Sequence, residues 1–256
     1  MTNILKITQL LAIYTVLLLF MSHCVQEPRS DEAIISEAMP VQEINEGVTY
    51  RIDTVNSIIT WVGTKPTGRH NGLIKIKSGT ITIKEEDPEN NTGEFELNNA
   101  SIVIDMESVE VLDLKDDPLQ LEKLENHLRS EDFFDTEAFP EASFELVSFD
   151  PIELDSTTME ESKNREESKY SIIDPTHTLS GNLTIKGKSF NVKFPVKADF
   201  RNLKFEASAK FNIDRTVWGI NYKNENDPVA RTTDSFIHNI VNVGIDIIAR
   251  PESSME

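Results

Sequence analysis

The sequence predicts an all-β fold, in which an antiparallel sheet closes into a barrel of about eight strands and one helical segment lies at about residues 117–135. From Tyr50 onward, apolar and polar residues alternate over many short stretches, which is typical of strands that bury one face. A single stretch has helical periodicity instead. We expect closure because it removes exposed sheet edges, and about eight strands enclose an interior that side chains fill or that holds one small ligand.

Three stretches indicate the first strands. Ser57–Gly63 alternates as one strand. Between 73 and 83, leucine and isoleucines surround a Ser-Gly pair, which predicts either a hairpin or one long strand with a bulge. Between 94 and 106, the alternation slips by one residue around Asn98 and Asn99, as it does at a β-bulge.

The helix is predicted to begin at Pro118, because proline is favoured at the first helical position. Leu121, Leu124 and Leu128 then recur at intervals of three and four residues, so they share one face. Alternation returns with the segment FELVSF at 144–149. These features predict one helix between two groups of strands.

Four more alternating stretches follow, at 170–187, 189–200, 203–213 and 235–249. In the third, one face carries Phe205, Ala207, Ala209, Phe211 and Ile213. Between the two groups of strands, the charged segment 150–169 is predicted to be an exposed insertion.

The composition restricts the partners of the protein. The chain has 256 residues, a formal net charge of −19 and a sequence pI near 4.7. Such acidity argues against binding nucleic acid or docking electrostatically on anionic lipid, because both need clustered Lys and Arg. Cys24 is the single cysteine, which excludes an intramolecular disulfide and a four-cysteine zinc site.

The amino-terminal segment resembles a bacterial lipoprotein signal. A single early cation, Lys6, precedes an apolar run from Leu10 to Met21, and Cys24 follows closely. His23 stands where that pattern has a small residue. We therefore expect a signal peptide at 1–23 and lipidation of Cys24; the alternative is an uncleaved anchor with an incidental thiol.

The expected domain organisation follows from these segments. Residues 24–48 are acidic and aperiodic and are predicted to be a flexible tether. Residues 49–250 form the barrel domain, and 251–256 form a disordered tail. The expected location is the bacterial cell envelope, periplasmic or at the cell surface, with the membrane as a partner through Cys24.

Five ordered segments resemble the YceI-like proteins, a family of bacterial polyisoprenoid-binding, lipocalin-like barrels. The resemblance covers about Tyr50 to Ala249 and is specific because the segments occur in the family's order. They are YRIDTVNSIITWVGTK, GRHNGLIKIKSGTI, HLRSEDFFDTEAFPEASFELVSF, LSGNLTIKGKSFNVKFPV and FNIDRTVWGINY.

The resemblance implies an elongated lipocalin-like barrel with a helical segment near one end. It also implies a long-tailed amphiphile, of isoprenoid or quinone type, along the interior, and homodimer formation. Phe133 and Phe134 are then expected to close the helical end, with Phe144 pointing inward from the next strand. The alternative for each of these phenylalanines is a purely structural role, without contact to a ligand.

The candidate ligand-binding residues are apolar residues that the alternation along each strand places on the inward face of the barrel. Ala207 and Ala209 share that face, where they either leave room for a ligand or permit tight packing. The candidates are Trp61, Ile104, Phe133, Phe144, Phe194, Phe205, Phe211 and Trp218.

The sequence gives little support for catalysis or for a bound metal or other cofactor. The four histidines outside the predicted signal lack the spacing of a zinc helix motif, and no Gly-x-Ser-x-Gly elbow is present. Asp214 and Arg215 belong to a turn, where Arg215 either stabilises structure or reaches a lipid head group. The expected function is non-catalytic lipid binding; the alternatives are an enzyme acting on a bound amphiphile and a structural protein with a filled core.

Overall fold

The computed structural model describes residues 27–42, 44, 46–85, 94–152, 169–233 and 235–251. In these ranges, two helices, α1 (Pro118–Arg129) and α2 (Pro228–Thr232), and one 3-10 turn (Arg215–Trp218) accompany the strands. The strands are β1 (Asp31–Glu32), β2 (Ile34–Glu37), β3 (Val48–Ile52), β4 (Ile58–Lys65), β5 (Gly68–Glu85), β6 (Phe95–Val111), β7 (Glu141–Pro151), β8 (His177–Ile185), β9 (Lys188–Arg201), β10 (Lys204–Asp214) and β11 (Ile240–Pro251).

The sheet is a closed antiparallel barrel. From β5 to β11, each strand pairs with the next, and β11 returns to pair with both β3 and β4. β3 and β4 both lie between β11 and β5, because they pair with successive parts of β5. Together they occupy one position in the wall, and β5 to β11 occupy the other seven of its eight positions. The predicted all-β barrel is confirmed. Within the described ranges, no helix combines the length and apolar character needed to cross a bilayer.

The bulges lie where the alternation slips. β5 is one long strand rather than a hairpin, with register shifts against β6 between Leu73 and Lys75 and between Ile76 and Ser78. Asn98 is the extra residue in β6, because Thr82 lies opposite Asn99 while the next residue lies opposite Leu97. The predicted bulge in β6 is therefore confirmed.

One end of the barrel is filled by aromatic rings. Phe95 contacts Phe205 edge-on, with ring centroids 5.7 Å apart, and also lies 5.8 Å from Phe200. The His177 ring stacks on Phe149 at 4.2 Å. Offset and edge-on ring contacts add to the stabilisation from burial itself, so this end, which we call the aromatic end, is a conventional core.

Helix α1 lies at the opposite end, which we call the helix end. Its first turn is capped by Asp117, whose Oδ1 accepts a hydrogen bond from the Gln120 amide at 3.2 Å. Arg129 ties its last turn to β6, because its guanidinium donates to the carbonyl oxygens of Val109 (2.7 Å) and Glu107 (3.2 Å). The helix is shorter than predicted: it ends at Arg129, and turns follow.

The segment 27–39, which we call the strap, packs on the barrel. It lies within the predicted tether 24–48, but residues 31–32 pair with β10 and residues 34–37 pair with β9. This part is therefore not a free linker; main-chain pairing at the barrel wall compensates for its acidic, aperiodic sequence. The predicted signal peptide, Cys24, most of the 150–169 insertion and residues 252–256 lie outside the described residues.

Gly181 on β8 provides a test of the packing. A Cβ atom there would overlap the ring of Phe144 on β7, whereas a Cβ atom at Gly63 meets no atom within 4 Å. We expect Gly181→Ala to lower the free energy of unfolding by about 1–3 kcal/mol through overpacking. Gly63→Ala is the matched control and should change it little in urea unfolding. Equal effects of the two substitutions would contradict this packing.

His177 makes stability depend on pH. Burial among the rings lowers the pKa of its imidazole below 6.5, so on acidification the unfolded chain takes up a proton before the folded one does. The contribution of His177 to the free energy of unfolding is therefore lost as the pH falls through 6.5 towards its folded pKa. We expect His177→Gln to lose less stability than the unsubstituted protein between pH 7.5 and 5.5. Parallel curves for the two proteins would argue against it.

Candidate functional site

A cavity of about 240 Å³ lies inside the barrel, between the aromatic end and helix α1. Among the described residues, the surface that faces it is entirely apolar. It is formed by inward side chains of β4 to β11, with contributions from Leu128 of α1 and from Ile220 and Ile237 of loops. The interior of the barrel is therefore hollow along part of its length.

Seven of the eight predicted ligand-binding residues line this cavity: Trp61, Ile104, Phe133, Phe144, Phe194, Phe211 and Trp218. Phe134 also lines it, as expected for the phenylalanines at the helix end. Whether these side chains contact a ligand stays a prediction.

Phe205 is the exception, and its assignment to the cavity is corrected. It points inward as predicted and is only 3% exposed, but it belongs to the aromatic end, beside Phe95. Alternation identifies the face of a residue, whereas its height along the barrel depends on the register of the neighbouring strands.

Much of the lining is aliphatic and was not among the candidates. Val241, Val243 and Ile245 of β11 could have been found, because they alternate on one strand face. Ile220 and Ile237 could not, because they lie on loops that have no periodic pattern. Ala207 and Ala209 both border the cavity, which is consistent with their leaving room there.

Two aromatic contacts shape the wall. Phe194 of β9 and Phe211 of β10 stack with ring centroids 3.9 Å apart. Trp218 is almost completely buried, and its Nε1 donates to the carbonyl oxygen of Leu183 at 3.0 Å. By contrast, Trp61 Nε1 is buried without a hydrogen-bond partner among the described residues. These contacts fix the positions of large side chains that border the cavity.

The segment Asp-Arg-x-x-Trp-Gly forms a buried turn beside the cavity. Asp214 Oδ1 accepts from the Thr216 amide at 2.8 Å and so caps the 3-10 turn. Gly219 ends that turn with φ +81°, a left-handed conformation that favours glycine. Trp218 is thereby placed against the interior.

The guanidinium of Arg215 is satisfied by the main chain. It donates to the carbonyl oxygens of Ile220 (2.6 Å), Ile237 (3.0 Å), Tyr222 (3.1 Å) and His238 (3.1 Å). Burial lowers its pKa to about 10, while the nearby carboxylates Asp214 and Glu225 oppose that shift, so it stays charged at neutral pH. Of the two roles expected for Arg215, these contacts support the structural one.

The YceI-like domain family matches residues 50–249, which is most of the barrel. The chain belongs to this family. No curated protein matches it.

One solved structure shares the fold of this chain, and two others are similar to it with lower TM-scores. A polyisoprenoid binding domain from Saccharophagus degradans, implicated in plant cell wall breakdown, has 14% sequence identity and a TM-score of 0.51, with 79% of this chain and 98% of that chain covered. BcnA from Burkholderia cenocepacia has 18% identity and a TM-score of 0.47, covering 77% and 98%. The YceI protein from Campylobacter jejuni has 16% identity and a TM-score of 0.42, covering 69% and 83%.

Outside the cavity, this YceI-like barrel has a cluster of one histidine and two glutamates. His238 Nδ1 lies 2.6 Å from Glu225 Oε1 and 3.3 Å from Glu27 Oε1. Burial raises the pKa of the Glu27 carboxyl. Imidazole and carboxylate groups are ligands that a divalent transition metal could use, but the hydrogen bonds between them already account for this arrangement.

Replacement of Arg215 tests whether the turn depends on the hydrogen bonds from the guanidinium group to four main-chain carbonyl oxygens. We expect Arg215→Lys to lower the free energy of unfolding by at least about 2 kcal/mol, because an ammonium group cannot reach four carbonyl oxygens in this geometry. Lys186→Ala is the control, because its ammonium donates to one exposed carbonyl, that of Glu131. Urea denaturation measures both, and a neutral Arg215→Lys would contradict the assigned role.

Proposed function

We propose that this YceI-like protein is a non-catalytic lipid-binding protein of the bacterial cell envelope. Its barrel would hold the apolar tail of an amphiphile of isoprenoid or quinone type. The observation that carries the proposal is the apolar cavity enclosed by the barrel wall.

The size of the cavity supports a binding role. At about 24 cal/mol per Å³, an apolar void of about 240 Å³ costs on the order of 6 kcal/mol relative to a filled interior. That is comparable with the whole stability of an ordinary domain, about 5–15 kcal/mol. An apolar ligand would remove much of this cost, since each buried methylene group stabilises by about 0.8 kcal/mol relative to water.

The same volume limits what fits without rearrangement. A water molecule takes about 30 Å³ in the liquid, and a methylene group is of similar size, so the cavity accommodates a segment of at least about eight carbon atoms. A tail several times longer requires side chains to move or part of the tail to remain outside. Met106 borders the cavity, and methionine adapts readily to irregular spaces.

The lining supports binding rather than catalysis. An enzyme acting on a bound amphiphile needs polar or titrating groups that reach the reacting atoms, and the described cavity surface is apolar. Arg215 borders the cavity, but main-chain carbonyl oxygens accept its hydrogen bonds. This arrangement favours a carrier or a sensor of lipid over an enzyme.

The ligand class comes from the family. The Saccharophagus degradans structure is named a polyisoprenoid binding domain, and it shares the fold at 14% identity. We extend the class to this chain because the matched residues, 50–249, include the whole set that borders the cavity.

Attachment to a membrane would assist loading. A tail already dissolved in a bilayer gains little by transfer to an apolar barrel, so proximity matters more than contact energy. Lipidation at Cys24, proposed from the sequence, would hold the barrel beside its source of lipid and raise the effective concentration. Dimer formation is part of the same family-based proposal.

Extraction of the purified protein tests the ligand. We expect organic extraction and mass spectrometry to recover an isoprenoid-tailed or quinone-type lipid at close to one molecule per chain. Lipid-free protein should then take up decyl-ubiquinone from phosphatidylcholine vesicles. Repeated empty extracts together with no uptake would reject the proposal.

Filling the cavity gives a matched pair of variants. Ala207 borders the cavity, whereas its cross-strand partner Ala198 lies in the core beyond it. We expect Ala207→Leu to reduce lipid recovery at least threefold while keeping stability, because the added methyl groups enter free space. Ala198→Leu should instead destabilise by about 1–3 kcal/mol through overpacking, with lipid recovery unchanged in the folded fraction. The opposite pattern would contradict binding at this site.

A further inference from the structure

The barrel wall has a seam between β9 and β10. In the described residues, these strands pair directly over Lys197–Arg201 and Lys204–Ser208. Beyond that, the strap lies between them, because β1 pairs with β10 and β2 pairs with β9. The parts of β9 and β10 that flank the strap carry residues that line the cavity, including Phe194 and Phe211. The seam is therefore at the height of the cavity.

The strap covers this part of the wall with few apolar contacts. Ala33 and Ile35 pack against the cluster that contains Phe194, Phe211 and Trp218. Ile34 points the other way and is 67% exposed. β1 and β2 contain two and four residues, so the strap is paired over a short length. A strand that is hydrogen-bonded to its neighbours over so few residues separates from the sheet more readily than a long strand does.

Polar side chains hold the rest of the strap. Asn182 forms two hydrogen bonds with the main chain of Met39, at 2.7 and 3.0 Å. Asn212 Nδ2 donates to the Pro28 carbonyl oxygen at 2.9 Å. Both asparagines are 6% exposed beneath the strap. If the strap lifts, water can replace these partners, so the amides need not remain unsatisfied.

Packed side chains lie at both ends of the barrel. At the aromatic end, Phe95 contacts the rings of Phe149, Phe200 and Phe205. At the helix end, α1 and Phe133 cover the interior. The strap also precedes the family-matched residues 50–249, so it is an addition to the domain that forms the cavity.

We infer that the seam between β9 and β10 is the portal of the cavity and that the strap is its gate. The inference rests on the proposed function. The stacked rings of Phe194 and Phe211 bridge the two strands beneath the strap. An apolar tail enters sideways when Ala33 and Ile35 leave their contacts and these two rings separate, and pairing of the strap with both strands closes the wall behind it.

Cross-linking the strap tests the gate. Ile34 and Lys193 are opposed on the antiparallel pair β2–β9, and both are exposed. Opposed residues of such pairs have Cα atoms about 4.5–5.5 Å apart, which suits a disulfide. Ile34→Cys with Lys193→Cys, in a Cys24→Ser background, would fix the strap to β9. Asp199→Cys with Glu206→Cys is the matched control, because it joins β9 to β10 where they already pair.

The measurement is the rate at which lipid-free protein takes up decyl-ubiquinone from phosphatidylcholine vesicles, together with the final loading. We expect the oxidised strap cross-link to slow uptake at least tenfold, with full recovery after reduction. The oxidised control should load as fast as its reduced form. If the cross-linked strap loads at the rate of the reduced protein, the portal lies elsewhere. If no form loads at equilibrium, including the unsubstituted protein, the proposed function itself fails.

Loosening the strap should have the opposite effect. Asn182→Ala removes both hydrogen bonds to Met39 and is expected to speed uptake at least threefold. Asn191→Ala is its control, because the side chain of this buried neighbour bonds to Ser180 and Asn182 rather than to the strap. Equal rates for the two variants would count against gating by the strap.

Discussion

The hydrogen bonding of β11 to both β3 and β4 is the constraint on which the structure depends. Because this pairing closes the sheet, every strand of the barrel has a neighbour on each side. The number of strands and their stagger then fix the diameter of the barrel. The wall cannot move inward to occupy space that small side chains leave, as a loose core partly does. The interior is therefore hollow because the sheet is closed and because some of the side chains that point inward are small.

Residue size decides which part of the barrel is hollow. At the aromatic end, rings from β6, β9 and β10 meet across the interior and fill it. Nearer to α1, the inward positions include Ala207, Ala209 and Gly63, where little or no side chain projects. Polar groups are directed away from this space: the asparagines of β8, β9 and β10 hydrogen-bond outside the barrel, and Arg215 is held by carbonyl oxygens.

Alternation and turn chemistry were enough to predict the class of fold and the bulge near Asn98, but they did not decide between a hairpin and one long bulged strand for β5. They also predicted most of the cavity lining, because a period of two identifies the inward face of each strand. They could not place Phe205, since height along the barrel depends on register between strands distant in sequence. They also missed the strap, whose pairing depends on main-chain groups that the wall leaves open rather than on its own side-chain pattern. The loop residues Ile220 and Ile237 were missed because no periodicity marks them.

The two tryptophans of the chain, Trp61 and Trp218, both border the cavity. The tryptophan fluorescence of the unlabelled protein consequently originates from the walls of this space. A quinone ring held there would quench that emission by energy transfer, whereas a saturated chain would displace its maximum without quenching. Because the two indoles belong to different parts of the wall, single-tryptophan versions would report how deeply an occupant sits, without any attached dye.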